Sequence, residues 1–534
     1  MWSGEALSAE VRIPLTMADL VLIHGNVLTM NPTQPRAEAL AVTKDRIVKV
    51  GSEDEITQLI GGNTRVLDLK GKTVVPGFID THIHVADFGR TLAWIDLKQA
   101  ISIRALQALV REKTEKTAKG KWVLGSAWNQ ENFAEKRYPT RQDLDAAAPD
   151  NPVILYHQLG RTCVTNSMAL KLAGVTKETV APKDGVIEKA PETHELTGIL
   201  QGNATDLVWN AVPAPTEQET LAAAKEACAK IMTAGITSIH WIALSASELA
   251  VAQKLISGND VPLRIFLIVT DEVFENLPPA TDQNDTKIGG VLVFSDGYLA
   301  SQTAALYQTY VGDQVNRGKL LYTQDELNRL AAKIQRANLR VIIHAMGDKA
   351  VDAALKALQS IPLVLNKHHR LEQAALLNKQ LIKRIKKSEL VVSVQPNVVE
   401  SEFNMWSATE HLGEERARML FPLKTLMKNG IRIVGGSDCP MEPLNPLLGI
   451  QSAVTRKPFP EERLTVEEAL RLYTIDAAYA TGEEMEKGSL EEGKLADFVV
   501  LSGDPTVVPS GRLADVEVET TSIGGRVVFK NSST

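Results

Sequence analysis

The sequence predicts an α/β protein: a (β/α)8 TIM barrel, with a small β-sandwich built from both chain ends and an insertion after the first barrel strand. Three observations predict it. Apolar runs of strand length alternate with amphipathic helical stretches through the middle of the chain, and eight of them can be assigned, the number that closes such a barrel. Short β-rich segments occur at both ends, and domain termini often lie close together. The gap after the first barrel strand is roughly 150 residues long, where a β/α unit needs about 30.

Taken in order, residues 1–16 carry charges and no apolar core, so they do not read as a secretory signal and are expected to form a loose extension before Met17. Residues 17–73 together with 485–534 are expected to form the sandwich. Its strands are Asp19–Ile23, Val27–Met30, Ala39–Val42 and Arg46–Val50, punctuated by turns at His24-Gly25-Asn26 and Lys44-Asp45, then Ala496–Leu501, Val516–Thr521 and Arg526–Phe529. Residues 74–484 are assigned to the barrel. Its strands are Val74–Ile79, Thr237–His240, Leu263–Val269, Gly290–Phe294, Arg340–His344, His369–Gln373, Leu390–Gln395 and Ile431–Gly435. The insertion occupies about residues 92–215. Thr465–Tyr473 reads as a structural helix with a capping residue and an acidic first turn.

Composition narrows the function. The chain has 534 residues, 44% hydrophobic and 23% charged, as in ordinary globular proteins. A net charge of −7 argues against a general nucleic-acid binder. No uncharged apolar run reaches the roughly 18 residues of a membrane span. Three well-separated cysteines give neither a disulfide framework nor a CxxC zinc knuckle, and they point to a reducing cytoplasm. Neither a GxGxxG fingerprint nor a GxxxxGK[ST] loop supports a nucleotide cofactor. The expected partner is a small-molecule substrate, with no nucleic acid and no membrane, and the expected assembly is a homodimer.

The strongest chemical signal is Val75-Pro76-Gly77-Phe78-Ile79-Asp80-Thr81-His82-Ile83-His84. Residues two apart on a strand face the same side, so His82 and His84 converge, and two imidazoles on one face suit a divalent transition metal. His344 ends the run RVIIH and Asp438 ends IRIVGGS. Taken alone, His344 reads as a hydrogen-bonded core histidine and Asp438 as a helix N-cap. Taken together, all lie at C-terminal ends of different barrel strands, where barrel enzymes place their chemistry.

These motifs, with GSAWNQENF around Trp128, PTRQDLD, TNSMALKLAG, SDGYLASQTAAL, IHAMGD, SVQPN, GGSDCP and GSLEEGKLADFVVL, occur in an order that resembles the amidohydrolase superfamily. Within it the chain looks like the YtcJ-like branch, which includes N-substituted formamide deformylases. The resemblance runs from about Ala18 to Phe529. It implies a divalent-metal cofactor, most simply zinc, with His82, His84, His344 and Asp438 as ligands. It also implies a metal-dependent hydrolase acting on a non-peptide C–N bond of amide or formamide type, with Asp438 catalytic.

The chain departs from the family pattern at three places. Leu292 stands where many relatives carry a carboxylated lysine, and Gln373 in Arg370-Leu371-Glu372-Gln373-Ala374 stands where a ligand histidine is usual. Leucine cannot bridge two cations, and an amide oxygen is a poorer zinc ligand than imidazole. One ion per chain is therefore expected. Arg161 replaces a histidine in the insertion; it suits a substrate carboxylate or a structural role. Gln373, Glu372, Arg161, His240 and Trp128 are the candidates for a weak second site or for substrate contact. Two alternatives are a mononuclear deaminase of a heterocycle, with Glu372 as proton donor, and a degenerate barrel that binds a ligand without turnover.

Overall fold

The computed structural model describes residues 17–158, 160–277, 288–362 and 368–532; the expected extension at 1–16 lies outside the described residues. The chain forms two compact units. One comprises the described residues up to Phe88 and from Ala224 onward, the other Gly89–Ala223.

In the first unit, eight parallel strands follow one another in chain order around a single sheet. They are β1 (Phe78–Ile83), β2 (Ile236–Ala243), β3 (Arg264–Thr270), β4 (Ile288–Phe294), β5 (Arg340–Ala345), β6 (Arg370–Gln373), β7 (Val391–Val394) and β8 (Ile433–Gly435). The first and last strands meet where Ile83 bridges Cys439 and the Asp438 amide donates to the His82 carbonyl at 2.8 Å. This is the (β/α)8 barrel. Its strands are covered on both faces, which is why β2 is buried along its whole length. The helix Gln324–Arg336 between β4 and β5 buries Leu327, Leu330, Ala331 and Ile334, one stripe at helical spacing, and starts from a Thr323–Glu326 capping box.

Two further sheets belong to this unit. One orders Arg46–Gly51, Ala39–Thr43, Leu20–Ile23 and Arg65–Asp68; the other includes Asn26–Leu28, Thr73–Pro76, Phe498–Leu501, Val518–Ile523 and Arg526–Lys530. They share a core in which Leu22, Leu40 and Ile47 of the first meet Val27, Val74 and Phe498 of the second.

One strand expectation is corrected here. The run Val74–Ile79 is two strands: Thr73–Pro76 pairs antiparallel with Phe498–Leu501, and Phe78–Ile83 enters the barrel. The break falls at Gly77, where a Cβ would lie 2.2 Å from the Thr237 hydroxyl oxygen, so only glycine lets the chain cross from one sheet to the other. Pro76 ends the first strand without an amide to donate.

The second unit is built on a six-stranded mixed sheet. Ile95–Asp96, Val123–Trp128 and Val153–His157 run parallel, and Thr162–Thr165, Leu196–Gly202 and Gly185–Lys189 continue it antiparallel. Leu106, Val110, Trp128, Phe133, Leu144 and Val164 are among its buried core. Trp128 is fully buried, its ring packs edge-on to Tyr138 and His157, and its indole N–H donates to the Leu155 carbonyl at 2.9 Å. Its expected substrate contact is thereby corrected to a core role: no indole surface is left to touch a ligand. Arg161 is exposed just before the inner strand Thr162–Thr165, and its carbonyl accepts the Gly202 amide at 2.9 Å.

Candidate metal centre

The centre is built by the closure of β1 on β8. His82 lies on β1 and His84 one residue past its end; their rings meet edge-on with centroids 5.3 Å apart. Asp438 follows β8 by three residues, with φ +61°, a left-handed backbone that costs a non-glycine residue energy and recurs at functional positions. Asp80 ties the two strands together: its Oδ1 accepts the amides of His82 at 3.1 Å and Ser437 at 2.9 Å. The close approach also needs Gly436, whose Cβ would sit 2.7 Å from the His82 nitrogen.

The result is one cluster of metal donors. One ligand atom each from His82, His84 and Asp438 lie within 4.8 Å of one another. Asp438 Oδ1 is 3.4 Å from His82 Nε2 and 3.3 Å from His84 Nε2. Bonds of about 2.0–2.1 Å around a tetrahedral zinc put neighbouring donors about 3.3–3.4 Å apart, so the donor set fits a single ion.

His344, the penultimate residue of β5, is buried in the barrel interior outside the close group of His82, His84 and Asp438. It is 2% exposed, its ring lies 5.1 Å from Phe294 and 5.5 Å from Tyr298, and its Nδ1 has no hydrogen-bond partner. Burial and the neighbouring His82 charge lower its pKa to about 4, which keeps it neutral, the form in which imidazole binds metals. For His82 burial opposes the charge, but the carboxylates of Glu372 and Asp438 outweigh it and raise the pKa to about 10; an ion held at Nε2 would displace that proton. The Asp438 carboxyl stays ionised: burial works against this, and His82 and His84 hold it well below the usual carboxylate range.

Three sequence candidates are re-read by the barrel interior. His240 is buried on β2, and its Nδ1 accepts from the Arg370 guanidinium at 3.0 Å. Glu372 is fully buried on β6. Its Oε1 lies 3.0 Å from His82 Nδ1 and accepts from Gln395 at 2.8 Å, and its Oε2 lies 2.6 Å from Arg370. Burial disfavours its charge, yet Arg370 and His82 hold it ionised, well below the usual range. Within the interior His240 is thus engaged by Arg370, and Glu372 by Arg370, Gln395 and His82. Gln373 ends β6 in the left-handed region at φ +65°; it is buried, and its Oε1 has no partner.

Leu292 accounts for the other half of the interior. It sits on β4 in a buried apolar cluster with Ile242, Ile268 and Ile342, with Phe266 and Phe294 packed against it. Hydrocarbon fills the level at which a bridging lysine is usual, just beneath His344 in the β4–β5 register.

Arg370 and Tyr298 were not assigned a role from sequence. Arg370 and Glu372 repeat the two-residue spacing of His82 and His84, and that spacing was the signal available. Tyr298 stands in the loop after β4, half-exposed beside His344, and no motif marks it. Asp296, at the start of that loop, accepts the amides of Ala305, Met346 and Gly347 at 2.8–2.9 Å and so fixes the backbone that follows His344.

A barrel with convergent metal donors at the C-terminal ends of its strands is the arrangement of metal-dependent barrel enzymes. The chain belongs to the amidohydrolase family (Amidohydro_3), which it matches over residues 65–529. It is 33% identical over 530 residues to YtcJ of Bacillus subtilis, covering 95% of this chain and 99% of that protein. It is 27% identical over 546 residues to the N-substituted formamide deformylase of Arthrobacter pascens, covering 97% and 99%. Among solved structures it resembles an uncharacterized metal-dependent hydrolase from Pyrococcus furiosus, with TM-score 0.75 and 28% identity over 91% of this chain and 99% of that one. Among the described residues, no helix is long and apolar enough to cross a membrane.

Proposed function

We propose that the chain is a one-metal hydrolase that cleaves a carbon–nitrogen bond other than a peptide bond, of amide or formamide type. The observation that carries this reading is the convergence of His82, His84 and Asp438 on one point, beside an interior filled by Leu292 and its apolar neighbours. The likeness to a formamide deformylase supports the bond type.

His82, His84, His344 and Asp438 would hold the ion, with zinc suiting three imidazoles and a carboxylate. A divalent ion at such a site makes water a better nucleophile at neutral pH and polarises a carbonyl. Asp438 presents Oδ1 to the two histidine nitrogens and keeps Oδ2 for a proton. As an ionised carboxylate it takes the proton of the attacking water and hands it to the leaving nitrogen, while the carbon–oxygen bond forms and the carbon–nitrogen bond breaks. Tyr298 and Phe294 wall the His344 side of the mouth.

The deaminase alternative needs a proton donor to a ring nitrogen. Glu372 is held ionised between Arg370 and His82 and does not suit that task. A screen of N-formyl, N-acyl and heterocyclic amine compounds on zinc-loaded protein tests the reading. It predicts release of a free amine and a carboxylate from an amide or formamide. Turnover confined to heterocyclic amines, or none with any compound, contradicts it.

A further inference from the structure

The barrel interior carries a chain of buried charge that the proposed hydrolysis does not itself require. It runs from His240 on β2 to Arg370 and Glu372 on β6 and ends on His82, with successive separations of 3.0, 2.6 and 3.0 Å. Each member is at most 3% exposed. Arg370 is further anchored by donating to the Thr81 carbonyl at 3.1 Å, one residue before His82, and Glu372 by Gln395 at 2.8 Å.

Burying an arginine and a glutamate takes two charges out of water, and an apolar pair of similar volume would commonly serve stability as well or better. Such a pair therefore needs a use beyond packing. Its geometry supplies one. Glu372 faces the Nδ1 edge of His82, whereas Asp438 faces the Nε2 edge. Glu372 Oε1 lies 3.0 Å from Nδ1 without the alignment of a formed hydrogen bond; a carboxylate at that edge attracts the ring proton to Nδ1 and leaves Nε2 as the metal donor, and partners in this position tune metal affinity by 10–100-fold.

We infer that Glu372 is a positioning residue that aims His82 Nε2 at the ion, and that Arg370, steadied by its contact with His240, acts on the ion only by fixing Glu372. This rests on the proposed metal centre but not on the proposed substrate. His240 suits its part because burial and the adjacent Arg370 charge lower its pKa well below the ordinary value, so its Nδ1 is free to accept.

The test is zinc affinity in the full-length protein, read by competition with a chromophoric chelator, for four proteins: the parent, Glu372→Gln, Arg370→Met, and the double variant. Circular dichroism melts report the fold of each. Glu372→Gln alone strands a buried arginine and is the variant at risk of misfolding; the double variant removes both charges and keeps the test available. The expected result is a 10–100-fold loss of zinc affinity in Glu372→Gln and in the double variant. Arg370→Met should change affinity by a factor at least about fivefold different in the parent and in the Glu372→Gln background, because the cycle cancels any direct repulsion between Arg370 and the ion. If Glu372→Gln does not fold, the double variant and Arg370→Met alone decide. Cobalt-loaded Glu372→Gln or double variant should also show a shifted visible band, since His82 is no longer held in one orientation. A folded Glu372→Gln or double variant with affinity within about twofold of the parent and an unchanged cobalt band overturns the role of Glu372. Equal effects of Arg370→Met in both backgrounds overturn the role of Arg370. A parent that binds no zinc overturns the metal centre and this inference together, whereas failure to find an amide substrate leaves these readings unchanged.

Discussion

At the residue scale, the proposed metal centre rests on His82, His84 and Asp438. Removing an imidazole takes away one of the few donors on a single ion. His82→Ala or His84→Ala should therefore lose zinc retention and hydrolysis while the fold persists, as elemental analysis and circular dichroism would show. Full occupancy in either variant would remove the assignment. In the proposed hydrolysis Asp438 carries a second duty. Asp438→Asn keeps an oxygen for the ion but cannot take a proton, and general-base catalysis contributes about 10²–10⁴-fold. Its kcat on an N-substituted formamide should fall by about that factor with zinc largely retained; a kcat within a few-fold of the parent would move the base elsewhere. His82 and His84 were legible in the sequence because strand alternation alone sets their common side. Arg370 and Glu372 have the same spacing, yet their use depends on the register that puts Glu372 beside His344 and on the closure that brings His82 across the barrel. Those are non-local facts. Trp128 shows the converse: its motif was legible, but only the packing of Phe133, Tyr138 and His157 around it shows that it is core.

At the element scale, the seam between β1 and β8 positions the centre. Gly436 is its tightest point, and Gly436→Ala would drive a methyl into the His82 backbone. The expected cost is about 1–3 kcal/mol, typical of overpacking, with zinc affinity falling alongside the melting temperature. An alanine variant as stable and as zinc-tight as the parent would show that the seam tolerates displacement. In the proposed one-metal reading, the opposite wall, β4 and β5, limits how many ions fit. Gln373→His restores an imidazole at the end of β6 but gives no bridge, since Leu292 lies in hydrocarbon with Ile268 and Ile342. Calorimetric titration of Gln373→His should thus show no tight second zinc, because two neighbouring dications repel. Tight binding of a second equivalent would mean that Leu292 does not limit the site. The alternation of strands and helices that predicted this wall was legible because parallel strands are continuously apolar. That same continuity hid the break inside Val74–Ile79, which only the crossing at Gly77 resolves.

At the scale of the whole molecule, the barrel brings the proposed donors together from places far apart in sequence: His82 and His84 at its first strand, His344 on its fifth, and Asp438 just after its last. Eight-strand periodicity made the barrel legible, and the order of motifs made the family so. The number of ions was arguable only from two departures, Leu292 and Gln373, and the apolar filling around Leu292 gives that argument its physical ground. The central claim is a single catalytic ion. Its most direct test is the zinc content of the full-length protein after metal loading and removal of excess ion, set against protein concentration by elemental analysis. One tightly held zinc per chain is the expected result. Two would contradict it by showing that the interior accommodates a second ion despite Leu292, and none would contradict it by showing that His82, His84 and Asp438 do not form a metal centre.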